Sequence, residues 1–513
     1  MFADEMNIIL RPGAPGRAAP YHRQIYEQIR QAILENHLRP GDRLPSTRDL
    51  AARLGLARNT VARAYEDLLA EGYLEGRIGA GTYVASQLGG ESKEWTGAKA
   101  AAGSVPAAQR ALSDWALGVL REVPDGPPAE VLPFDFRAGT PDWNAFPREV
   151  WHRLLGRAMR RQSSKLTRYG EPAGHLPLRR AIANHLALSR GVVASAEQVV
   201  IVGGSQQALD LLTRLRVSHG DEVAVEDPGY PDARRAFAAA GARLLPVPVD
   251  ADGLVVDALM RLAARSAPRL VYVTPSHQYP TGVTLSLARR LALLDWATKR
   301  DVLVVEDDYD SEFRYSGRPV EALQGLDRSG RVVYLGTFST VLFPPLRVGY
   351  VVLPPDLVAP FVKAKWLIDR QTPTLEQLAL ADFLAEGHFG RHLRRMRRLA
   401  TERRAALLAA VGEFLGHRVE PPVASTGMHV LLRLAGGGPR RIPATAIESA
   451  ITAAAAEEGV GVYPVASCCA RPPATPALLL GYASLSVEQI REGVRRLGRV
   501  VREVYAEFGL AGH

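Results

Sequence analysis

Two stretches of the sequence carry side chains suited to gripping a small anion, a third adds a carboxylate at a strand end and a fourth an aromatic ring. "VGGSQQALDLL", residues 202–212, has the pattern of a strand, a tight glycine turn and a helix start. The first turn of such a helix leaves backbone N–H groups unpaired, so Ser205 and Gln206 suit a phosphate. "GTFSTVLFPPLRVGY", residues 336–350, brings a hydroxyl, Ser339, and a guanidinium, Arg347, to the same group. "VVEDDYD", residues 304–310, sets the Asp307 carboxylate at the end of an apolar strand, with Tyr309 two positions on. "EDPGYPD", residues 226–232, carries Tyr230.

These residues need a scaffold that brings strand ends together. "QVVIVGGS", "EVAVEDPG", "RLVYVTPS", "VLVVEDDY", "VVYLGTFS" and "VGYVVLP" are strands, several apolar throughout, and helices separate them. Continuous apolar strands between helices predict a largely parallel α/β sheet covered on both faces. Ligands bind at the carboxyl ends of such strands. Ser205, Gln206, Tyr230, His277, Asp307, Tyr309, Ser339 and Thr340 all fall there. From about residue 370 the chain turns helical and basic. It then returns to short strands ("MHVLLRL", "ALLLGYA") and a last amphipathic helix from Val487 to Phe508, which predicts a smaller α/β part. Upstream, "ALSDWALGVLREV" places Leu112, Trp115, Ala116, Val119 and Leu120 on one helical stripe. Residues 86–106, rich in Gly, Ser and Ala, predict a flexible tether.

The first eighty-five residues have a different pattern. Ile25, Ile29, Ala32 and Ile33 form one helical stripe, and "RPGDRLP" ends it. "STRD" then offers Ser46 as a helix cap with Asp49 completing the box. The next helix, "ARNTVARAYEDLLAEGYL", has Val61, Tyr65, Leu68 and Leu69 as its inner stripe, which puts Asn59 and Arg63 outside. Two short strands around a glycine turn at Gly79 and Gly81 follow. Helix, helix, turn, helix and hairpin make a winged helix-turn-helix, whose third helix enters the major groove of DNA. Arginine can pair with guanine and asparagine with adenine, so Arg58 and Asn59 are the expected base readers. Thr60 and Arg48 suit phosphates, Arg63 shares the outer face, and Gly79 lets the wing approach the minor groove with Arg77 beside it. Six arginines against Asp42 and Asp49 between residues 39 and 63 supply the charge. "LPSTRDLAARLGLARNTVARAYEDLLAEGYL" resembles the DNA-binding domain of the GntR superfamily of bacterial regulators.

The order of the remaining motifs resembles fold-type I aminotransferases, from about Phe134 to the C-terminus. Joined to the first domain, it resembles MocR-type regulators. The resemblance implies pyridoxal 5'-phosphate or a related vitamer as cofactor. Asp307 would hold the pyridine nitrogen protonated and Tyr309 would bond the ring's phenolic oxygen. Ser205, Gln206, Ser339 and Arg347 would hold the phosphate, and Tyr230 would stack on the ring. Tyr169, in "TRYGEPAGHLPLRR", matches the position that reaches a phosphate across a dimer interface. Two features depart from the family. Thr340 stands where the family carries its lysine, and threonine has no amine to bond the cofactor covalently or to move its proton. Lys363 and Lys365 lie past the next strand, on a helix. Leu478 to Leu480 stand where an arginine commonly holds a substrate carboxylate. The cofactor is therefore expected to be noncovalent if bound, with an attachment through another amine or a different small ligand as the alternatives. "TPSHQYPTG" carries Tyr279 where ordinary aminotransferases tend to have asparagine, and His277 beside the site.

The chain has 513 residues and a formal net charge of +9. It has no run of eighteen apolar residues, and its N-terminus lacks the basic and apolar regions of a secretory signal. Its two cysteines, Cys468 and Cys469, are adjacent, which excludes an ordinary disulfide staple and a cysteine-based metal site, so no metal is expected. A reducing, cytoplasmic setting is expected, with no membrane partner. The organisation expected is a winged helix-turn-helix at 12–85, a linker at 86–106 and an aminotransferase-like part at 107–513. That part divides into a large piece at about 130–370 and a small one at about 371–513. The function expected is a homodimeric regulator that binds double-stranded operator DNA and responds to a small-molecule effector. The alternative is a pyridoxal phosphate-dependent aminotransferase with an accessory DNA-binding domain.

Overall fold

A computed structural model describes residues 8–11, 19–77, 79–86, 112–124, 131–161, 166–264, 266–314, 320–420, 427–434 and 442–510. Apart from Ser86, the tether expected at 86–106 lies outside the described residues. The chain forms two compact units, Met1–Ala111 and Leu112–His513.

The first unit is built from α1 (Tyr21–Leu34), α2 (Thr47–Leu54), α3 (Arg58–Ala70), β1 (Leu74–Arg77) and β2 (Gly81–Val84). Ser46 caps α2: its hydroxyl accepts from the Asp49 N–H at 3.1 Å and donates to the Asp49 carboxylate at 2.6 Å. Gly55, at φ 67°, ends the same helix in the left-handed conformation. Ile25, Ile29, Leu50, Val61, Ala64, Tyr65 and Leu68 close a single core. Leu69 was expected on the inner stripe of α3 but is 38 % exposed. Ala64 takes that place, because positions 61, 64, 65 and 68 track the helical face more closely than 69 does. The wing strands pair antiparallel, Leu74 opposite Val84.

The second unit opens with α4 (Asp114–Glu122), β3 (Phe134–Asp135), α5 (Arg148–Arg161) and α6 (Leu176–Arg190). Strands and helices then alternate: β4 (Val199–Val202), α7 (Ser205–Arg216), β5 (Glu222–Asp227), α8 (Pro231–Ala239), β6 (Arg243–Asp250) and β7 (Gly253–Leu254). Next come α9 (Val256–Leu262), β8 (Leu270–Val273), α10 (Leu287–Arg300), β9 (Leu303–Asp308), α11 (Leu323–Leu326), β10 (Val332–Thr337) and β11 (Gly349–Val352). Three helices follow, α12 (Pro355–Asp369), α13 (Thr374–Ala385) and α14 (His388–Phe414). The chain ends with β12 (His429–Arg433), α15 (Ala444–Glu457), β13 (Val460–Gly461), β14 (Tyr463–Pro464), β15 (Ala477–Gly481) and α16 (Val487–Glu507).

The main sheet has eight strands in the order β4-β11-β10-β9-β8-β5-β6-β7. Successive residues of each strand serve opposite faces. Val223 and Val225 join a core with α7, α8 and α12, while Ala224 joins one with α9 and α10. That division explains why the strands are apolar at every position. β10, β9, β8, β5 and β6 run parallel. β11 runs antiparallel to both β10 and β4. Its connection from β10 contains only a short 3-10 turn at Pro344–Leu346, too little for a crossover helix, so the chain must reverse. The smaller sheet has the order β12-β15-β14 and is antiparallel.

The stripe foreseen on α4 is only partly used. Leu112, Trp115 and Leu120 are exposed at 51 %, 47 % and 69 %. The helix instead approaches α8 through Gly118, where a Cβ would stand 2.5 Å from the Ala239 carbonyl oxygen. Among the described residues no helix is long and apolar enough to cross a membrane.

Candidate functional site

The carboxyl ends of the parallel strands open into a cavity of about 390 Å³. Ser205 and Gln206 enter it from the first turn of α7, and Tyr230 from the start of α8. Asp307 and Tyr309 come from the end of β9, and Ser339, Thr340 and Arg347 from the loop between β10 and β11. Gly204 precedes α7 at φ 110°, and a Cβ there would lie 2.7 Å from an Arg347 guanidinium nitrogen. Glycine is thus required for the guanidinium to reach the helix N-terminus, where both favour an anion. Among the described residues no carboxylate forms a salt bridge with Arg347.

Asp307 is 4 % exposed. Its Oδ2 accepts from the Tyr272 hydroxyl at 2.7 Å, while its Oδ1 has no hydrogen-bond partner among the described residues. Burial pushes its carboxyl up to about 7, against the lowering effect of that hydrogen bond. The Tyr309 hydroxyl sits 3.0 Å from His277 Nδ1, which also lies 2.9 Å from Asp310 Oδ2. His277 is 3 % exposed and stands outside the cavity lining, behind Tyr309. Ligand atoms of His277, Asp310 and His429 approach within 4.8 Å of one another, close enough to hold a metal ion. The Thr340 hydroxyl donates to the Tyr309 carbonyl at 2.5 Å.

No lysine lines the cavity among the described residues. Lys365 is fully buried on α12, and its Nζ bonds Asp369 at 2.8 and 3.0 Å. Asp369 also accepts from Gln207, whose side-chain oxygen takes the Gly203 N–H at 2.7 Å. Lys365 therefore braces the glycine turn from behind. Leu478 to Leu480 are buried in β15 and do not line the cavity. Tyr169 is apart from it as well. It is 75 % exposed, lines a separate groove with Arg168 and Gln371, and sets its ring edge-on to Trp366 at 6.3 Å. Cys468 is buried beside Val465 and Ala477.

Several lining residues had no signal of their own in the sequence. Tyr272 lies inside an apolar strand, and only its neighbour across the parallel ladder explains the hydroxyl. Asp232 follows Tyr230 by two residues and resembles a helix-start acid. Gly139 and His429 come from distant segments that only the fold brings in.

On the first unit, Arg48, Arg58, Asn59 and Arg63 are exposed and Thr60 is half-buried. Arg58 Nε reaches Thr47 only at a long 3.5 Å. Arg77 pairs with Glu75 at 2.8 Å and covers the Tyr83 ring. Gly79 turns the wing at φ 75°.

Comparison with known proteins agrees with both halves. Residues 21–84 match the family of bacterial regulatory proteins of the gntR type, and residues 141–497 match aminotransferase class I and II. The chain is 40 % identical over 479 residues to a probable rhizopine catabolism regulatory protein, MocR, of Rhizobium meliloti, covering 93 % of each chain. It is 33 % identical to PdxR of Corynebacterium glutamicum, an HTH-type pyridoxine biosynthesis transcriptional regulator, covering 84 % of this chain and 86 % of that one. Among solved structures it resembles LysN of Thermus thermophilus, an alpha-aminoadipate aminotransferase complexed with N-(5'-phosphopyridoxyl)-L-leucine. The TM-score is 0.69 and the identity 33 %, over 77 % of this chain and 98 % of that one. A gntR-type helix-turn-helix followed by a fold-type I aminotransferase domain, matched nearly end to end by named regulators, places this chain in the MocR-type family.

Proposed function

We propose that this chain is a ligand-responsive transcriptional regulator that uses its aminotransferase domain to sense rather than to turn over. Residues 12–85 bind operator DNA, 86–106 tether, and 107–513 form a homodimer and hold a pyridoxal phosphate vitamer without a covalent bond. The observation that carries this reading is Thr340. By the resemblance it stands at the family's lysine position; its hydroxyl is committed to the Tyr309 carbonyl, and no lysine lines the cavity among the described residues.

The residues present fit the cofactor. The unpartnered, buried Asp307 Oδ1 suits a ring N–H, and the exposed Arg347 beside the α7 N-terminus suits a phosphate. On this reading Ser205, Gln206, Ser339 and Arg347 hold the phosphate, Asp307 keeps a proton on the ring nitrogen, and Tyr309 bonds the phenolic oxygen. Tyr230 packs on the ring, and Tyr169 reaches the partner's phosphate. When bound, pyridoxal phosphate supplies an aldehyde and an electron-withdrawing ring. Among the described residues that line the cavity, none supplies an amine to attack the first or to move a proton. On the DNA side Arg58 and Asn59 read bases, Arg48, Thr60 and Arg63 hold the backbone, and Arg77 and Gly79 work at the wing. A cytoplasmic location follows from the DNA partner.

The test is borohydride treatment of the protein with pyridoxal phosphate, followed by mass spectrometry, beside a transamination assay. Recovery of unmodified chain and no keto acid supports the reading. A specific adduct in the 107–513 part with steady turnover would establish the aminotransferase alternative, which the retained Asp307 and Arg347 favour.

A further inference from the structure

The cavity's charges point to a class of effector. Among the described residues, three formally charged side chains line it: Arg347, Asp307 and Asp232. On the function proposed above, on which this inference rests, Arg347 faces a phosphate and Asp307 a protonated ring nitrogen. Asp232 is left over. It stands in the first turn of α8, where the helix N-terminus favours a carboxylate. Its Oδ1 accepts from Arg235 at 2.7 Å, while its Oδ2 meets only the Tyr230 hydroxyl at a long 3.3 Å. Its side chain is 49 % exposed, so it remains open to a ligand. Arg235 lines an adjoining groove that shares Gln206, Tyr230, Asp232 and Arg347 with this cavity, but it is not itself among the cavity's lining residues.

The rest of the polar lining is neutral. It consists of hydroxyls, the Gln206 amide and the His429 imidazole. The His429 Nε2 lies 3.3 Å from the Pro280 carbonyl oxygen. With Arg347 given to the phosphate, a ligand carboxylate would lose water, find no further cation among the lining residues and face the Asp232 carboxylate. An ammonium would meet the free side of Asp232.

We infer that the effector is an amine without a carboxylate, whose cationic end is read by Asp232. Three stable probes separate the possibilities: N-(5'-phosphopyridoxyl) conjugates of putrescine, butylamine and 4-aminobutyrate. They share the phosphopyridoxyl group and end in an ammonium, a methyl and a carboxylate. Calorimetry with the full chain is expected to rank them in that order, with the putrescine conjugate about tenfold or more tighter than the 4-aminobutyrate one. Asp232→Asn, checked for an unchanged circular dichroism spectrum, should reduce that ratio to about threefold or less, and Asp232→Arg should reverse it. Equal or tighter binding of the 4-aminobutyrate conjugate, or a ratio unmoved by Asp232→Asn, overturns the inference and leaves the cofactor reading standing. Failure of all three conjugates to bind overturns both.

Discussion

At the scale of single residues, the proposed function turns on a cavity that no lysine lines among the described residues. Introducing the amine is therefore a direct experiment. Thr340→Lys, incubated with pyridoxal phosphate and reduced with borohydride, is expected to yield an adduct at position 340 that the parent protein does not form. Absence of that adduct would place position 340 out of reach of the cofactor. Asp307 gives a pH prediction. Burial raises its carboxyl to about 7 from the ordinary carboxylate range. The folded, ligand-free protein then binds a proton that the unfolded chain has lost, so this group's contribution to stability falls as pH rises from about 4 through 7. A ring N–H beside Asp307 would remove that penalty. The rise in melting temperature produced by pyridoxal phosphate should accordingly be larger at pH 8 than at pH 6. Asp307→Asn should abolish that pH dependence; if it persists, another group carries it. His277 stands behind the same cavity, against Tyr309 and Asp310. His277→Ala, which removes the partner of the Tyr309 hydroxyl, is expected to weaken cofactor binding by about tenfold, the worth of one buried hydrogen bond.

At the scale of elements, what could be foreseen followed local physics. The Ser46 cap, the glycine turn before α7 and the apolar strands are written in short-range patterns, and those elements formed where the patterns lie. The direction of β11 was not so written. Four apolar residues carry no arrow, and only the brevity of the 338–348 connection reveals the reversal. The packing of α4 escaped for a related reason, because an amphipathic stripe does not say which neighbour it meets, and a glycine let the helix dock by another face. The same logic hid Asp232, Tyr272 and His429, which become lining residues only when distant segments meet. On α3, Arg58 and Asn59 stand exposed in the first turn, the end that a recognition helix presents to base edges. Arg58→Ala should weaken operator binding by about 10- to 100-fold and relax sequence preference, as loss of one bidentate base contact does. Arg48→Ala should weaken binding to all sequences alike and flatten its salt dependence. A gel shift over a salt series distinguishes the two, and unchanged binding in both would move the interface elsewhere.

At the scale of the whole molecule, one chain carries a gntR-type unit and an aminotransferase-like unit, the second of which is proposed to hold a small molecule. Such a protein responds only if the ligand prefers one arrangement of the two over another, and the coupling typically amounts to about 5- to 150-fold in affinity. The most direct measurement is the fluorescence anisotropy of a labelled duplex, selected by the full chain from a random-sequence pool, titrated with the full chain in the presence and absence of the phosphopyridoxyl–putrescine conjugate. The account predicts saturable binding whose apparent Kd shifts by about fivefold or more with the conjugate, and no such shift in Asp307→Ala. Superimposable isotherms with and without it, or no binding to any duplex at all, would contradict it.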